Sequence, residues 1–282
     1  YILGGFKTSM QVLDHDLFIS ISIGVFEQNK QNFSIQQLLS FAEAAMYQAK
    51  SQGKKQYVLF NKNLGHELVE KANISKLIHK AYENNEFEVY YQPQLDLAFD
   101  RIDGFEALLR WKSPILGMVP PNQFIQVAEE TQLIIPLGAW VLRSACAFLK
   151  KLEAAGYAPL SISVNVSVIQ LLQDDFVPLV QETLEFLEIK PVYLELEITE
   201  SILMKFELVK PKLEQLRKIG VRIALDDFGT GYSSLGYLSQ TPITTLKLDK
   251  SFTDRIGSSY EILIDSVIYL CKKMELQVVA EG

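Results

Sequence analysis

The sequence predicts an α/β chain: a (β/α)8-type barrel whose first strand is antiparallel, preceded by part of a smaller α/β domain. Three observations carry this. From Phe87 onward, short apolar strands alternate with helix-period segments, the pattern of a mostly parallel sheet. The first two strands, Glu88–Leu95 and Ile102–Trp111, are joined by a connection too short for a helix, so they pair antiparallel. Polar residues also recur near the C-terminal ends of apolar strands, where barrel enzymes place their chemistry.

Residues 1–61 form the first block. Leu17 to Phe26 (LFISISIGVF) is β-rich, with Gly24 breaking the run. Ser34 and Gln37 read as a capping box, and Leu38, Phe41, Ala42, Ala45, Met46 and Ala49 recur behind it at helical spacing, with Gly53 as the stop. Tyr57 to Phe60 is a short strand. The block is too small for a comfortable sheet domain. Residues 62–86 form a helical connector with Leu68, Ala72, Ile78, Ala81 and Tyr82 near one stripe, ended by Asn84 and Asn85. It lacks a sustained heptad, which favours a packed helix over a coiled coil.

Residues 87–282 are the barrel block. After the strand pair come helices 121–131 and 136–155, the second stopped by Gly156. Strand Ser161–Ser167, helix Val168–Leu187, strand Tyr193–Thr199 and helix Ser201–Ile219 follow, with Gly220 as the next stop. Strands Val221–Asp226 and Thr245–Leu248, a helix from about Ser259 to Met274, and strand Gln277–Glu281 complete the order. Seven strands are present where a closed barrel needs eight, so the block is expected to be truncated at its C-terminal end. The chain opens on Tyr1 rather than Met, as a fragment would.

At 282 residues and 48% hydrophobic, the chain can bury a large core. Its net charge of -7 argues against a general DNA or RNA binder and against an anionic-membrane binder. Cys146 and Cys271 lie in helix-like apolar patterns, which fits packing in a reducing compartment. No apolar run reaches membrane-spanning length and no signal peptide is visible, so a membrane would be met only through regions outside this chain.

The chemistry concentrates in Ile223–Leu235, an apolar strand ending in Asp226 and Asp227, then a loop with Gly229, Gly231 and several hydroxyls. Adjacent side chains on a strand face opposite ways, so the two acids share a site only where the chain turns, and the glycines supply the turn. Alone, the pair reads as a solvated acidic turn. Other strands add Glu106, Asn165, Glu197, Lys247 and Glu281. Five carboxylates at one barrel mouth need countercharge, and divalent cations with one lysine supply it. His15, His66 and His79 all lie outside the barrel block, which disfavours zinc and favours Mg²⁺ or Mn²⁺. Two such ions about 4 Å apart suit phosphoester hydrolysis, with Lys247 orienting the water or stabilising charge. Asp227-Phe228-Gly229 is also the kinase metal triplet, but no Gly-rich nucleotide loop or His-Arg-Asp loop accompanies it. Gly229-Thr230-Gly231 is too short for a dinucleotide fingerprint. Arg110-Trp111 reads either as a surface cation on an indole or as a phosphate contact.

Residues 87–282 resemble the EAL-type cyclic di-GMP phosphodiesterase domain, a TIM-like barrel. The resemblance rests on Tyr91-Gln92-Pro93, Glu106-Ala107-Leu108 with Arg110-Trp111, Phe124-Ile125 with Ala128-Glu129-Glu130, and Ser163-Val164-Asn165-Val166-Ser167. It continues in Glu197-Ile198-Thr199-Glu200-Ser201, Asp226 to Gly231, Lys247-Leu248-Asp249 and Ala280-Glu281-Gly282. It implies Glu106, Asn165, Glu197 and Asp226 as ligands of a first metal, and Asp226, Asp227 and Glu281 around a second. It further implies Lys247 beside the nucleophilic water, Glu200 steadying the loop after Asp227, and Gln92 and Arg110 as substrate contacts. The implied reaction is hydrolysis of cyclic di-GMP to linear pGpG in the bacterial cytoplasm, by a homodimer formed through this domain. Gln132 stands where the family usually has glycine, and the family continues beyond Gly282 with a further acidic residue, a helix and a last strand. Residues 1–61 resemble the last third of a GGDEF domain, through Ser22-Ile23-Gly24-Val25 and Ala42 to Lys50. The cyclase signature would lie upstream and is absent from this chain, so no synthase activity follows. Two other readings stand beside the enzyme: a cyclic di-GMP receptor without turnover, and a structural half of a tandem.

Overall fold

The computed structural model describes residues 2–6, 10–12, 15–17, 19–27, 33–51, 55–157, 159–229, 238, 240–257 and 261–281. The chain divides into two compact units, Tyr1–Leu77 and Ile78–Gly282. Among the described residues, no helix is long and apolar enough to cross a membrane.

In the first unit, β1 (Met10–Val12) and β2 (His15–Leu17) form an antiparallel pair. β3 (Ile23–Val25) and β4 (Tyr57–Leu59) form a parallel one, linked through helix α1 (Ile35–Ser51). The capping box forms: Ser34 N–H donates to Gln37 Oε1 at 2.9 Å and Gln37 N–H to Ser34 Oγ at 3.3 Å. Gly24 does not break the strand but sits at the centre of β3, because α1 packs on it. A Cβ there would fall 1.9 Å from the Ala42 carbonyl oxygen. Phe26, Phe33, Phe41 and Phe60 cluster beside it, Phe41 and Phe60 stacked at 4.4 Å. The expected stop at Gly53 lies outside the described residues.

Helix α2 (Lys62–Glu83) covers most of the segment expected as a connector, the two units divide within it, and Asn85 follows its end at φ 56°, a left-handed conformation that asparagine tolerates. The second unit is a sheet in the order β12-β11-β10-β9-β8-β6-β5. Its strands are β5 (Phe87–Asp96), β6 (Arg101–Ser113), β8 (Ser161–Asn165), β9 (Leu194–Thr199), β10 (Arg222–Phe228), β11 (Thr245–Leu248) and β12 (Gln277–Ala280). β5 and β6 pair antiparallel as expected, and β6 and β8–β12 run parallel. An unanticipated short strand, β7 (Gly117–Val119), folds back on the end of β6.

Helices α3 (Pro121–Glu130) and α4 (Ile134–Ala154) follow β7. Between them Gln132 takes φ 60°, so glycine would adopt this backbone without cost. The single helix expected over 168–187 is two: α5 (Val168–Leu171) and α6 (Phe176–Phe186), separated by a turn. Likewise, a 3-10 turn over Glu200–Lys205 precedes α7 (Phe206–Ile219). One helical turn, α8 (Lys250–Thr253), and α9 (Glu261–Lys273) lie between β11 and β12.

Strand alternation divides the sheet's faces by chemistry. Leu194, Leu196 and Ile198 of β9, Ile223 and Leu225 of β10, and Leu246 and Leu248 of β11 join the main core with α4, α6 and α7. The alternate positions are Glu195 and Glu197, Arg222 and Asp226, and Thr245 and Lys247. Those polar side chains meet one another. Lys247 on β11 reaches Glu106 on β6 at 3.3 Å, although three strands separate them in the sheet order. A flat sheet would hold those strands about 19 Å apart, so the sheet curls around its polar face.

Candidate active site

Lys247 Nζ lies 2.8 Å from Glu197 Oε2, 2.9 Å from Glu281 Oε1, 3.1 Å from Asp226 Oδ2 and 3.3 Å from Glu106 Oε2. Four strands besides β11 thus send an acid, or the residue following the strand, toward one ammonium. Asn165 Nδ2 donates to Glu106 Oε1 at 3.0 Å, which brings β8 into the same cluster. Glu197 and Lys247 are buried, each 1% exposed, while Asn165 is exposed at the mouth.

Burial raises the Glu197 carboxyl well above the usual carboxylate range, and Lys247 only partly opposes this. Burial works against the Lys247 ammonium, but the attraction of Glu197, then Glu106 and Asp226, outweighs it, so the proton is held tightly. Burial also raises Glu281. Asp227 is raised by burial first, then by the neighbouring negative charges of Asp226 and Asp249.

The turn that joins the acid pair begins earlier than the glycines. β10 runs through both acids to Phe228, with a register shift between Leu225 and Phe228, and Asp227 itself takes φ 57°. Such a bulge lets neighbouring side chains leave strict alternation. Asp227 N–H donates to Asp226 Oδ1 at 2.8 Å, fixing the first acid from its own backbone. Gly229 follows at φ 99°, where a Cβ would meet the Phe252 ring at 2.0 Å. Its N–H donates to the buried Glu200 at 3.2 Å. The expected loop positions Thr230 to Leu235 lie outside the described residues.

Gln92 on β5 pairs in register with Glu106 on β6, so both share the polar face. Arg110, two alternations beyond Glu106, lies over the Tyr90 ring at 5.6 Å. It does not form a surface pair with Trp111, which is fully buried and donates to Glu86 Oε2 at 2.9 Å.

The donor set fits a hard divalent cation. It is all oxygen, and Glu197 Oε1 is buried without a hydrogen-bond partner. Among the described residues, no three His, Cys, Asp or Glu side chains already form a metal cage. The Lys247 ammonium holds the centre, and the acids close on it.

Sequence reasoning missed two features. Asp249, two residues after Lys247, caps α8 by accepting from Ser251 N–H at 2.9 Å and adds negative charge near Asp227; its period-two spacing from Lys247 was the available signal. A second polar layer lies at the strand starts. Glu195 Oε1 accepts from Thr245 Oγ1 at 2.6 Å and lies 3.0 Å from Arg222, which also donates to Gln277. The alternation Leu-Glu195-Leu-Glu197 already put both glutamates on one face.

Residues 75–282 match the EAL domain family, and residues 2–56 match the diguanylate cyclase, GGDEF domain. The chain is 38% identical over 284 residues to the signaling protein YkoW of Bacillus subtilis, covering 100% of this chain and 35% of that protein. It is 36% identical over 269 residues to the cyclic di-GMP phosphodiesterase NbdA of Pseudomonas aeruginosa, covering 94% of this chain and 34% of that one. The solved c-di-GMP complex of PaMucR phosphodiesterase superposes with a TM-score of 0.70 at 35% identity, covering 74% of this chain and 86% of that chain. The chain spans about a third of the length of such curated relatives.

Proposed function

The chain belongs to the EAL domain family, and we propose that it is the hydrolytic part of a cyclic di-GMP phosphodiesterase, cleaving one phosphodiester to give linear pGpG. One observation carries the reading: four acids from separate parts of a curled sheet close on Lys247, beside a buried Glu197 oxygen left without a partner. The name of NbdA and the nucleotide bound in the PaMucR structure support the substrate.

In this reading Glu106, Asn165, Glu197 and Asp226 hold one Mg²⁺ or Mn²⁺, and Asp226, Asp227 and Glu281 hold a second. Five carboxylates and one ammonium leave four negative charges, which two divalent ions balance. When bound, such ions lower the pKa of water and neutralise charge on phosphoryl oxygens. The chain's own groups do the rest. Lys247, held protonated by its acids, is no general base; it attracts and orients an oxygen nucleophile and the charge that develops on the phosphate. Gln92 shares the polar face and binds substrate, and Arg110, released from Tyr90, forms a charged hydrogen bond to a phosphate. Glu200 holds the start of the loop after Asp227. A homodimer through this unit and a cytoplasmic location belong to the same reading and rest on the family resemblance.

The test incubates the full-length protein with cyclic di-GMP and Mg²⁺ or Mn²⁺ and follows pGpG by chromatography. Wild type is expected to produce pGpG and Glu106→Ala to produce none while keeping its circular dichroism. Nucleotide binding with no pGpG would replace the enzyme with a receptor.

A further inference from the structure

We propose that Glu129 of α3 is a positioning residue for Asn165, acting through Ser167. The inference rests on the proposed site, of which Asn165 is a member, but its geometry stands independently.

Asn165 is the last residue of β8 and is exposed, so its own packing does little to fix it. Its amide must reach Glu106 Oε1, and the backbone just beyond it sets where that amide starts. That segment is tied down at two successive backbone N–H groups and at the Ser167 hydroxyl. Val166 N–H donates to the Glu197 carbonyl at 2.8 Å. Ser167 N–H donates to Gln170 Oε1 at 3.2 Å. Ser167 Oγ accepts from Ile169 N–H at 3.2 Å and donates to Glu129 Oε1 at 2.5 Å.

The last contact is more than a helix cap requires. An N-cap serine needs only its oxygen as acceptor, and its proton can go to water. Here the proton goes to a half-buried carboxylate, a charge-assisted bond of the stronger kind. Spending the proton on Glu129 leaves the Oγ lone pairs for α5 and locks the Ser167 rotamer. Glu129 is itself held, because Phe124, Val127 and Ala128 bury the other side of α3. Gln170 completes the buttress. It is buried against Gly138 of α4, where an added Cβ would fall 1.8 Å from Gln170 Nε2. Two helices therefore clamp the residue two positions beyond Asn165, a reach of about 7 Å.

Because the cap survives without Glu129, positioning and stability separate. Glu129→Ala should lower kcat by about tenfold to a hundredfold, the scale of a small misplacement, with KM little changed and the melting temperature kept. Glu129→Gln, whose amide oxygen still accepts, should restore most of kcat. The reaction-independent readout is the Asn165 side-chain amide signal in ¹⁵N NMR, identified by its loss in Asn165→Asp. It should shift or broaden in Glu129→Ala and return in Glu129→Gln. Ser167→Asp keeps the cap, removes the donor and sets a like charge against Glu129; it should displace the same signal, and it carries the test if Glu129→Ala does not fold. Asn165 signals unchanged from wild type in the folded variants would overturn the proposal. If wild type forms no pGpG, the phosphodiesterase reading fails, while the NMR comparison still decides the role of Glu129.

Discussion

Glu197 Oε2 and Lys247 Nζ lie 2.8 Å apart with both side chains buried, and the acid's second oxygen has no partner. Lys247 is thus the countercharge for four acids in the cation-free protein. Lys247→Met should lower stability in EDTA by about 3–5 kcal/mol, the cost of breaking a buried pair. Urea denaturation should then show a larger gain on adding Mg²⁺ than wild type shows. Equal stability of the two proteins in EDTA would remove Lys247 from that role.

Asp227 combines the carboxylate proposed to hold a metal with a left-handed backbone, and substitution can separate the two. Asp227→Asn keeps a side chain that tolerates this conformation, so hydrolysis should collapse while stability holds. Asp227→Ala should lose the same activity and about 1 kcal/mol more of stability. Gln132 has the same backbone problem with no carboxylate at stake. Gln132→Gly should therefore raise stability by about 1 kcal/mol in a denaturant titration.

Arg222 tests the lower polar layer. Without its guanidinium, the buried Glu195 keeps the Thr245 hydroxyl as its donor among the described residues. Arg222→Met should cost about 3 kcal/mol, and Glu195→Gln added to it should recover part. Turnover per folded molecule should stay within about twofold of wild type, since the contacts of Arg222 to Glu195, Thr245 and Gln277 include none of the acids that close on Lys247. A large kcat change at full stability would tie the two layers together.

Cys146 gives a pH prediction away from the acids. Burial pushes its thiol from an ordinary value of 9.0 up to about 12. The folded state therefore holds this proton more tightly than the unfolded state. Its contribution is complete below pH 9 and is lost as pH rises toward 12. Between pH 8 and pH 10 the stability advantage of wild type over Cys146→Ala should shrink by about 1 kcal/mol, read from urea midpoints. The native thiol should also resist labelling at pH 8.

The strand order and the acids were legible because a period of two is visible wherever Glu197, Asp226 and Lys247 interrupt apolar runs. The resemblance of the motifs supplied roles that the residues alone left open. What stayed hidden depends on contacts between distant segments. Gly24 reads as a strand breaker until α1 is known to lie on it. The break between α5 and α6 follows from the Ser167 cap and the turn after it, which periodicity does not register. Asp227's backbone was illegible for a related reason. Positive φ is uncommon outside glycine, although Asp tolerates it better than most residues, so the sequence pointed to the glycines beyond it. β7 is three residues long and pairs only with the end of β6, too short to leave a pattern.

Glu195 and Glu197 stand two residues apart on one face of β9, one tied to Arg222 and the other to Lys247. Each glutamate therefore answers to a different cation, although a two-residue register slip would put one in the other's place without disturbing the apolar face. Only the distinct cations opposite, a fixed fork below and a flexible amine above, tell the strand which register is right. β9 is thus keyed at both ends, and the key is read by charge geometry where hydrophobicity is blind.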